Sequence, residues 1–173
     1  MHLHWRRAAW AAVALTASFA AGAGCAKDQP ARETPSGLPV PRYVSLKFDS
    51  VNARSGPGDD HRLLWVFHAK GLPVQVVAET AEWRRVCDPD GTLSWVHKRT
   101  TDGARTVMRT AAGTTPIRDG PRPNSAVVAY LAAKAPAGLD KCDKGWCRVQ
   151  VGRAKGWVEA GAVWGTNDAA QCR

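Results

Sequence analysis

The chain has 173 residues, room for one ordinary domain or two small ones. Apolar residues at 45% and charged residues at 23% describe a folded body, and 24 Lys and Arg against 15 Asp and Glu give a net charge of +9. There is no P-loop, no G-x-G-x-x-G after a strand, no H-E-x-x-H and no G-x-S-x-G, so length and motif together exclude large α/β enzymes.

Arg6 and Arg7 precede a 19-residue uncharged run, Ala8 to Ala26. A basic start, an apolar stretch and small residues at its end predict a secretory signal segment over residues 1–26. The competing reading is an uncleaved anchor, because the run is just long enough to span a bilayer. Ala21-Gly22-Ala23 fits a small-x-small cleavage site. Gly24-Cys25 resembles the end of a bacterial lipobox, with Gly22 where Leu is usual. That resemblance implies lipidation of Cys25, membrane anchoring and outer-membrane sorting. Residues 27–40 hold three Pro, one Gly and four charges, and are expected to form a flexible linker.

The rest of the chain repeats itself. Arg54-Ser55-Gly56-Pro57 returns as Arg118-Asp119-Gly120-Pro121, Trp83-Arg84-Arg85-Val86 as Trp146-Cys147-Arg148-Val149, and Ser94-Trp95-Val96 as Gly156-Trp157-Val158. The offsets drift only from 64 to 62 residues, so two copies of one unit are expected, at 41–108 and 109–166, with a C-terminal tail at 167–173. Each unit reads as β: Val51 to Ser55, Leu72 to Glu79, Glu82 to Cys87 and Thr92 to His97 are short runs between turn residues. Asp88-Pro89-Asp90-Gly91 predicts a hairpin, since Pro fixes φ and Gly accepts φ > 0. Gly152 to Gly156 takes the same place in the second unit.

Val51-Asn52-Ala53-Arg54-Ser55-Gly56-Pro57, a Trp-x-x-Val strand and a closing Gly-Trp-Val, in order and twice, resemble the bacterial SH3-like (SH3b) domains. Ser94 replaces the usual Gly, and Pro116 to Pro121 is a degenerate opening of the second unit. The resemblance implies a mainly β fold of two tandem five-stranded barrels, of the kind exported by proteobacteria. Peptidoglycan is the ligand class it implies.

Apart from Cys25, four cysteines remain, which allows three pairings. Cys142 and Cys147 flank Asp143-Lys144-Gly145, a turn that would bring two strands together, and C-x-x-x-W-C looks like a recurrent variant of these domains. Cys87 and Cys172 would then tie the tail to the first unit. The spacing is not that of a zinc site, and His61, His68 and His97 are scattered, so no metal or cofactor is expected. A Cys87/His97 nucleophile pair lacks any orienting group, so no catalytic residue is assigned.

On the strand Gly145 to Val151, residues 147, 149 and 151 form an apolar face, which turns Trp146 and Arg148 the other way. With Lys144 they form the candidate contact surface, and Trp157 is expected in the core. Trp65 and Trp164 have no counterpart in the repeat and are further candidates for a surface or the seam between units. The expected function is a non-catalytic binding module of the periplasm or cell envelope. Its expected partners are peptidoglycan or envelope proteins. The alternative is a protein-interaction or structural accessory lipoprotein of an envelope complex. A pI near 9.8 would suit nucleic acid in a cytosolic protein, but export argues against it. Oligomeric state is not legible.

Overall fold

The computed structural model describes residues 34–172. The expected signal segment over residues 1–26, with Cys25, and the first part of the expected linker lie outside these residues. Thirteen strands follow: β1 (Arg42–Leu46), β2 (Val51–Arg54), β3 (Leu63–Phe67), β4 (Pro73–Glu79), β5 (Trp83–Cys87), β6 (Leu93–His97), β7 (Thr101–Asp102), β8 (Thr106–Met108), β9 (Thr114–Arg118), β10 (Val127–Ala132), β11 (Pro136–Asp143), β12 (Trp146–Val151) and β13 (Ala154–Glu159). Single 3-10 turns follow β6 and β13, at Lys98–Thr100 and Ala160–Ala162. No helix among the described residues is long and apolar enough to cross a membrane.

The strands form two antiparallel sheets, ordered β3-β2-β6-β5-β4-β1-β7 and β10-β9-β13-β12-β11-β8. The orders correspond over six strands, as the repeat requires, and β7 has no counterpart in the second sheet. The mainly β fold with two SH3-like units is therefore present. Each sheet exceeds five strands because short flanking segments join it: β1 and β7 in the first, β8 in the second.

Alternation builds each core. Val74 and Val76 of β4, Val86 of β5 and Val96 of β6 meet Val44, Leu46 and Val51 in the first. Ile117, Leu131, Ala137, Cys147, Val149 and Val158 fill the second. Gly156 is needed where β13 crosses β9: a Cβ there would lie 2.4 Å from the Arg118 carbonyl oxygen and 2.7 Å from Ile117 Cγ2.

β8 joins the two cores. The repeat places Thr106–Met108 at the end of the first unit, yet β8 pairs with β11 of the second sheet. Val107 enters the second core while its neighbour Met108 packs into the first. Successive residues of a strand point to opposite faces, so one short strand serves both. Met108 also exchanges backbone hydrogen bonds with Trp164, at 3.1 and 2.8 Å.

Both ends of the described chain dock on the first sheet. The linker expected over residues 27–40 is folded from residue 34 onward: the Ser36 N–H donates to Glu79 Oε1 at 3.1 Å, its hydroxyl donates to the same oxygen, and Val40 packs on the core. The buried carboxylate needs donors, and this segment supplies them. At the other end, Tyr43 donates to the Asn167 carbonyl (2.8 Å) and Gln75 pairs with Ala169 and Gln171. Cys87 is bridged to Cys172, and Cys142 to Cys147.

Candidate functional site

The β11–β12 hairpin carries the predicted contact residues. Lys144 sits at its tip with φ 46°, followed by Gly145 at φ 81°. Cys147 and Val149 point inward and are fully buried, so Trp146, Arg148 and Gln150 point outward. Against β13 the register is Trp146 opposite Glu159, Arg148 opposite Trp157 and Gln150 opposite Lys155. The Arg148 side chain is 46% exposed, with Asp140 Oδ2 at 3.7 Å. Lys144, Trp146 and Arg148 are thus on one hairpin.

Trp157 is not the core residue expected from its motif. Its neighbours Gly156 and Val158 are the buried pair, so the indole stands on the outer face, half-buried, with Lys141 Nζ 5.8 Å from its ring. Strict alternation in Gly-Trp-Val is the signal that would have placed it. The turn between β12 and β13 is also shorter than expected. It consists of Gly152 and Arg153, and Lys155 is a strand residue on the same outer face.

The other two tryptophans lie elsewhere. Trp65, on β3 opposite Ala53, meets Phe67 edge-on at 5.8 Å, and Phe67 packs on the first core. Trp164 lines the seam between the units, edge-on to Tyr43 at 5.1 Å. Arg105 lies 5.4 Å from the Tyr43 ring and donates to the Gly165 carbonyl at 2.9 Å. Burial pushes the Tyr43 phenol up to about 12; Arg105 opposes this and Asp168 adds to it. Tyr43 is therefore a neutral donor to the tail.

The first barrel repeats part of the surface: Arg85 stands opposite Trp95, and Trp83 opposite His97 with rings 5.2 Å apart. Several of its other charges are paired: Arg42 and Arg84 with Glu79, Arg54 with Asp59 and Lys98 with Glu82. Burial tends to raise the Glu79 carboxyl, but hydrogen bonds from Ser36 and Arg42 hold it at about 2. Burial and the neighbouring Arg42 push the Arg84 guanidinium down, against the pull of Glu79. Residues 41–103 hold nine Lys and Arg against eight Asp and Glu, or +1; residues 104–166 hold ten against four, or +6. The basic excess belongs to the second barrel.

Among the described residues, clefts open on that barrel. One, of about 400 Å³, runs from Arg105 across Gly138, Asp140, Arg148 and Gln150 to Lys155. Another, of about 410 Å³, shares Arg105 and Asp140 and is bounded by Thr166 and by Asp168 of the tail. A third, of about 260 Å³, lies on the first barrel between Arg54, Trp83 and His97. Among the described residues no three His, Cys, Asp or Glu side chains group to hold a metal. Cys87 is bridged and the His97 imidazole accepts from the Arg99 N–H, so the pair has no free thiol.

Residues 47–103 and 111–165 each match the family described as the bacterial SH3 domain. No curated protein matches the chain. Among solved structures it is similar to NlpC2 and NlpC1 from Trichomonas vaginalis, each at 15% identity and a TM-score of 0.32. These alignments cover 75% and 72% of this chain and 51% and 45% of theirs. The chain thus spans about half the length of those proteins.

Proposed function

The chain belongs to the bacterial SH3 domain family, and from that premise we propose that it is a non-catalytic binding module of the cell envelope whose ligand is peptidoglycan. The observation that carries the reading is the outward Arg–Trp pair at one register position in both barrels, Arg85 with Trp95 and Arg148 with Trp157. A half-buried indole beside an exposed guanidinium offers apolar contact and an anion partner together, and the excess charge of the second barrel suits the carboxylates of the wall. The contact residues of this reading are Lys144, Trp146, Arg148 and Trp157. Export through residues 1–26, with lipidation of Cys25, would deliver the module to the envelope.

Retention of the purified protein by isolated sacculi is the test. Retention that Arg148→Ala weakens supports the reading, and wild-type protein in the unbound fraction sinks it. The second reading, an accessory to an envelope protein complex, draws on the edge strand β10, where Val127, Val128 and Tyr130 are 42%, 48% and 62% exposed. Retention only in the presence of protein extract would favour it.

A further inference from the structure

The first barrel already carries a peptide segment on its outer face, the chain's own tail, which bends at Ala169 and Gln171. Tyr43, Gln75, Cys87 and Leu93 form one cross-strand row over β1, β4, β5 and β6. The tail crosses this row. Tyr43 donates to the Asn167 carbonyl, Gln75 Nε2 donates to the Ala169 carbonyl at 2.9 Å, and Gln75 Oε1 accepts from the Gln171 N–H at 2.8 Å. Cys172 then bridges to Cys87. A side-chain amide that pairs with backbone groups two residues apart holds a peptide by its backbone, whatever side chains it bears.

The same row of the second barrel is Thr106, Gly138, Gln150 and Lys155, over β8, β11, β12 and β13. Gly138, Gln150 and Lys155 line the open 400 Å³ cleft. Where Gln75 fills the first row, Gly138 leaves the floor bare, and a Cβ there would meet nothing closer than 3.7 Å. Cys87 and Leu93 are replaced by an amide and a cation. Gln150 Nε2 is held by the Gly152 carbonyl at 3.0 Å, which leaves Oε1 as an acceptor. Arg105, Arg148 and Lys155 face a single carboxylate, Asp140, itself 65% exposed.

We propose that this cleft binds a short peptide bearing carboxylates, laid across β11, β12 and β13 as the tail lies across β4 and β5. Gln150 supplies an acceptor to its backbone, and Lys155 and Arg148 pair with its acidic groups. The inference rests on the proposed function for the source of the peptide, the acidic stem peptides of peptidoglycan. Groove shape and charge select the chemistry.

Isothermal titration of the full chain with muropeptides released from purified peptidoglycan tests it. Saturable binding is expected, falling at least tenfold when the muropeptide carboxylates are amidated, and likewise in Gly138→Leu and Lys155→Glu. Arg62→Glu, at an exposed first-barrel residue outside the clefts described, is expected to change nothing. Lys155 is exposed, so Lys155→Glu carries the test should Gly138→Leu fail to fold. Undiminished affinity in Lys155→Glu overturns the proposal. Binding of an all-L acidic peptide, Ala-Glu-Glu-Ala, with muropeptides inert overturns the assignment to stem peptides and points to a protein partner. Sacculus retention separates the two levels: wild type and cleft variants retained alike overturns the cleft and leaves the proposed function standing, whereas wild type not retained sinks that function itself.

Discussion

Glu79 and Arg84 stand opposite each other on β4 and β5, in the register at which Cys142 and Cys147 stand opposite each other on β11 and β12. One position in the repeat is thus closed by charge in the first barrel and by a covalent bond in the second. The Glu79 side chain is 2% exposed and shared between Arg42 and Arg84, with Arg84 Nε at 3.7 Å. The ionic version does a second task, because the same carboxylate receives Ser36 and docks the incoming chain.

Glu79→Gln should leave Arg42 and Arg84 buried without a counter-charge and destabilise the first barrel by about 2–3 kcal/mol at pH 7. The folded carboxyl, at about 2, lies below its ordinary value of 4.5. Its contribution is complete above about pH 4.5 and disappears as the pH falls toward 2. Denaturant melts of both proteins at pH 7 and pH 3 check this. The gap between them should narrow in acid, and a constant gap would assign the loss to packing.

Opening the Cys142–Cys147 bridge should cost the second barrel about 2 kcal/mol, the chain-entropy value for so short a loop. Cys147 is fully buried and Cys142 is exposed. The double Cys→Ala variant should therefore match the reduced protein closely. The double Cys→Ser variant should be less stable by a further 1 kcal/mol or so, from one buried hydroxyl. Thermal melts of the three proteins separate these terms.

The Cys87–Cys172 bridge closes a much longer loop, with a sequence separation of 85. Its chain-entropy contribution is about 4–5 kcal/mol. Replacing both cysteines by Ala should lower overall stability and speed amide exchange at Ala169 and Gln171, leaving the β12–β13 pairing unchanged. Gln75→Leu should loosen the tail in the same way with the bridge intact. Hydrogen exchange read by mass spectrometry resolves the tail from the sheets.

The two-barrel plan is legible in the sequence because the repeated residues hold fixed posts. Arg54 donates to the His61 carbonyl at 2.9 Å and Arg118 to the Ser125 carbonyl at 2.8 Å, each bracing the loop that its Gly-Pro begins. The hairpin face was readable too, since Cys147 and Val149 alternate with Trp146 and Arg148. Edge strands are harder: Leu63–Phe67 is a continuous apolar run, and β10 exposes Val127, Val128 and Tyr130, so neither alternates. The tail has no apolar pattern at all. Backbone groups received by Gln75 and Tyr43 dock it, and Cys172 is its only mark in the sequence. The concentration of charge on the second barrel is a sequence property, but it gains meaning only once Arg105 and Lys155 are seen on one cleft.

Gly156 and Ser94 occupy equivalent positions with opposite expectations. Gly156→Ala drives a Cβ into the backbone of β9, and since the Arg118 carbonyl cannot yield, a loss of about 3 kcal/mol is expected. Ser94 is already accommodated in the first barrel, but its hydroxyl is buried with no partner. Ser94→Ala removes that unpaired group and should be neutral or stabilising by up to about 1 kcal/mol. Urea denaturation of each variant gives both numbers, and a destabilised Ser94→Ala would mean that the hydroxyl is paired.

Arg148 and Trp157 separate binding from stability. Arg148 is half exposed, and its ion pair with exposed Asp140 contributes at most about 1 kcal/mol, so Arg148→Ala should melt within a few degrees of wild type. Reversing its charge with Arg148→Glu places a second carboxylate beside that of Asp140 and should weaken sacculus retention more than the alanine variant does. Trp157→Ala removes the apolar platform between Arg148 and Lys141 while leaving both cations, so its binding loss should persist at high salt, where the arginine effect fades. Retention measured at 50 mM and 500 mM salt distinguishes the two. A wild-type interaction abolished by salt and indifferent to Trp157→Ala would reduce the surface to non-specific charge attraction and remove the basis for assigning it a ligand.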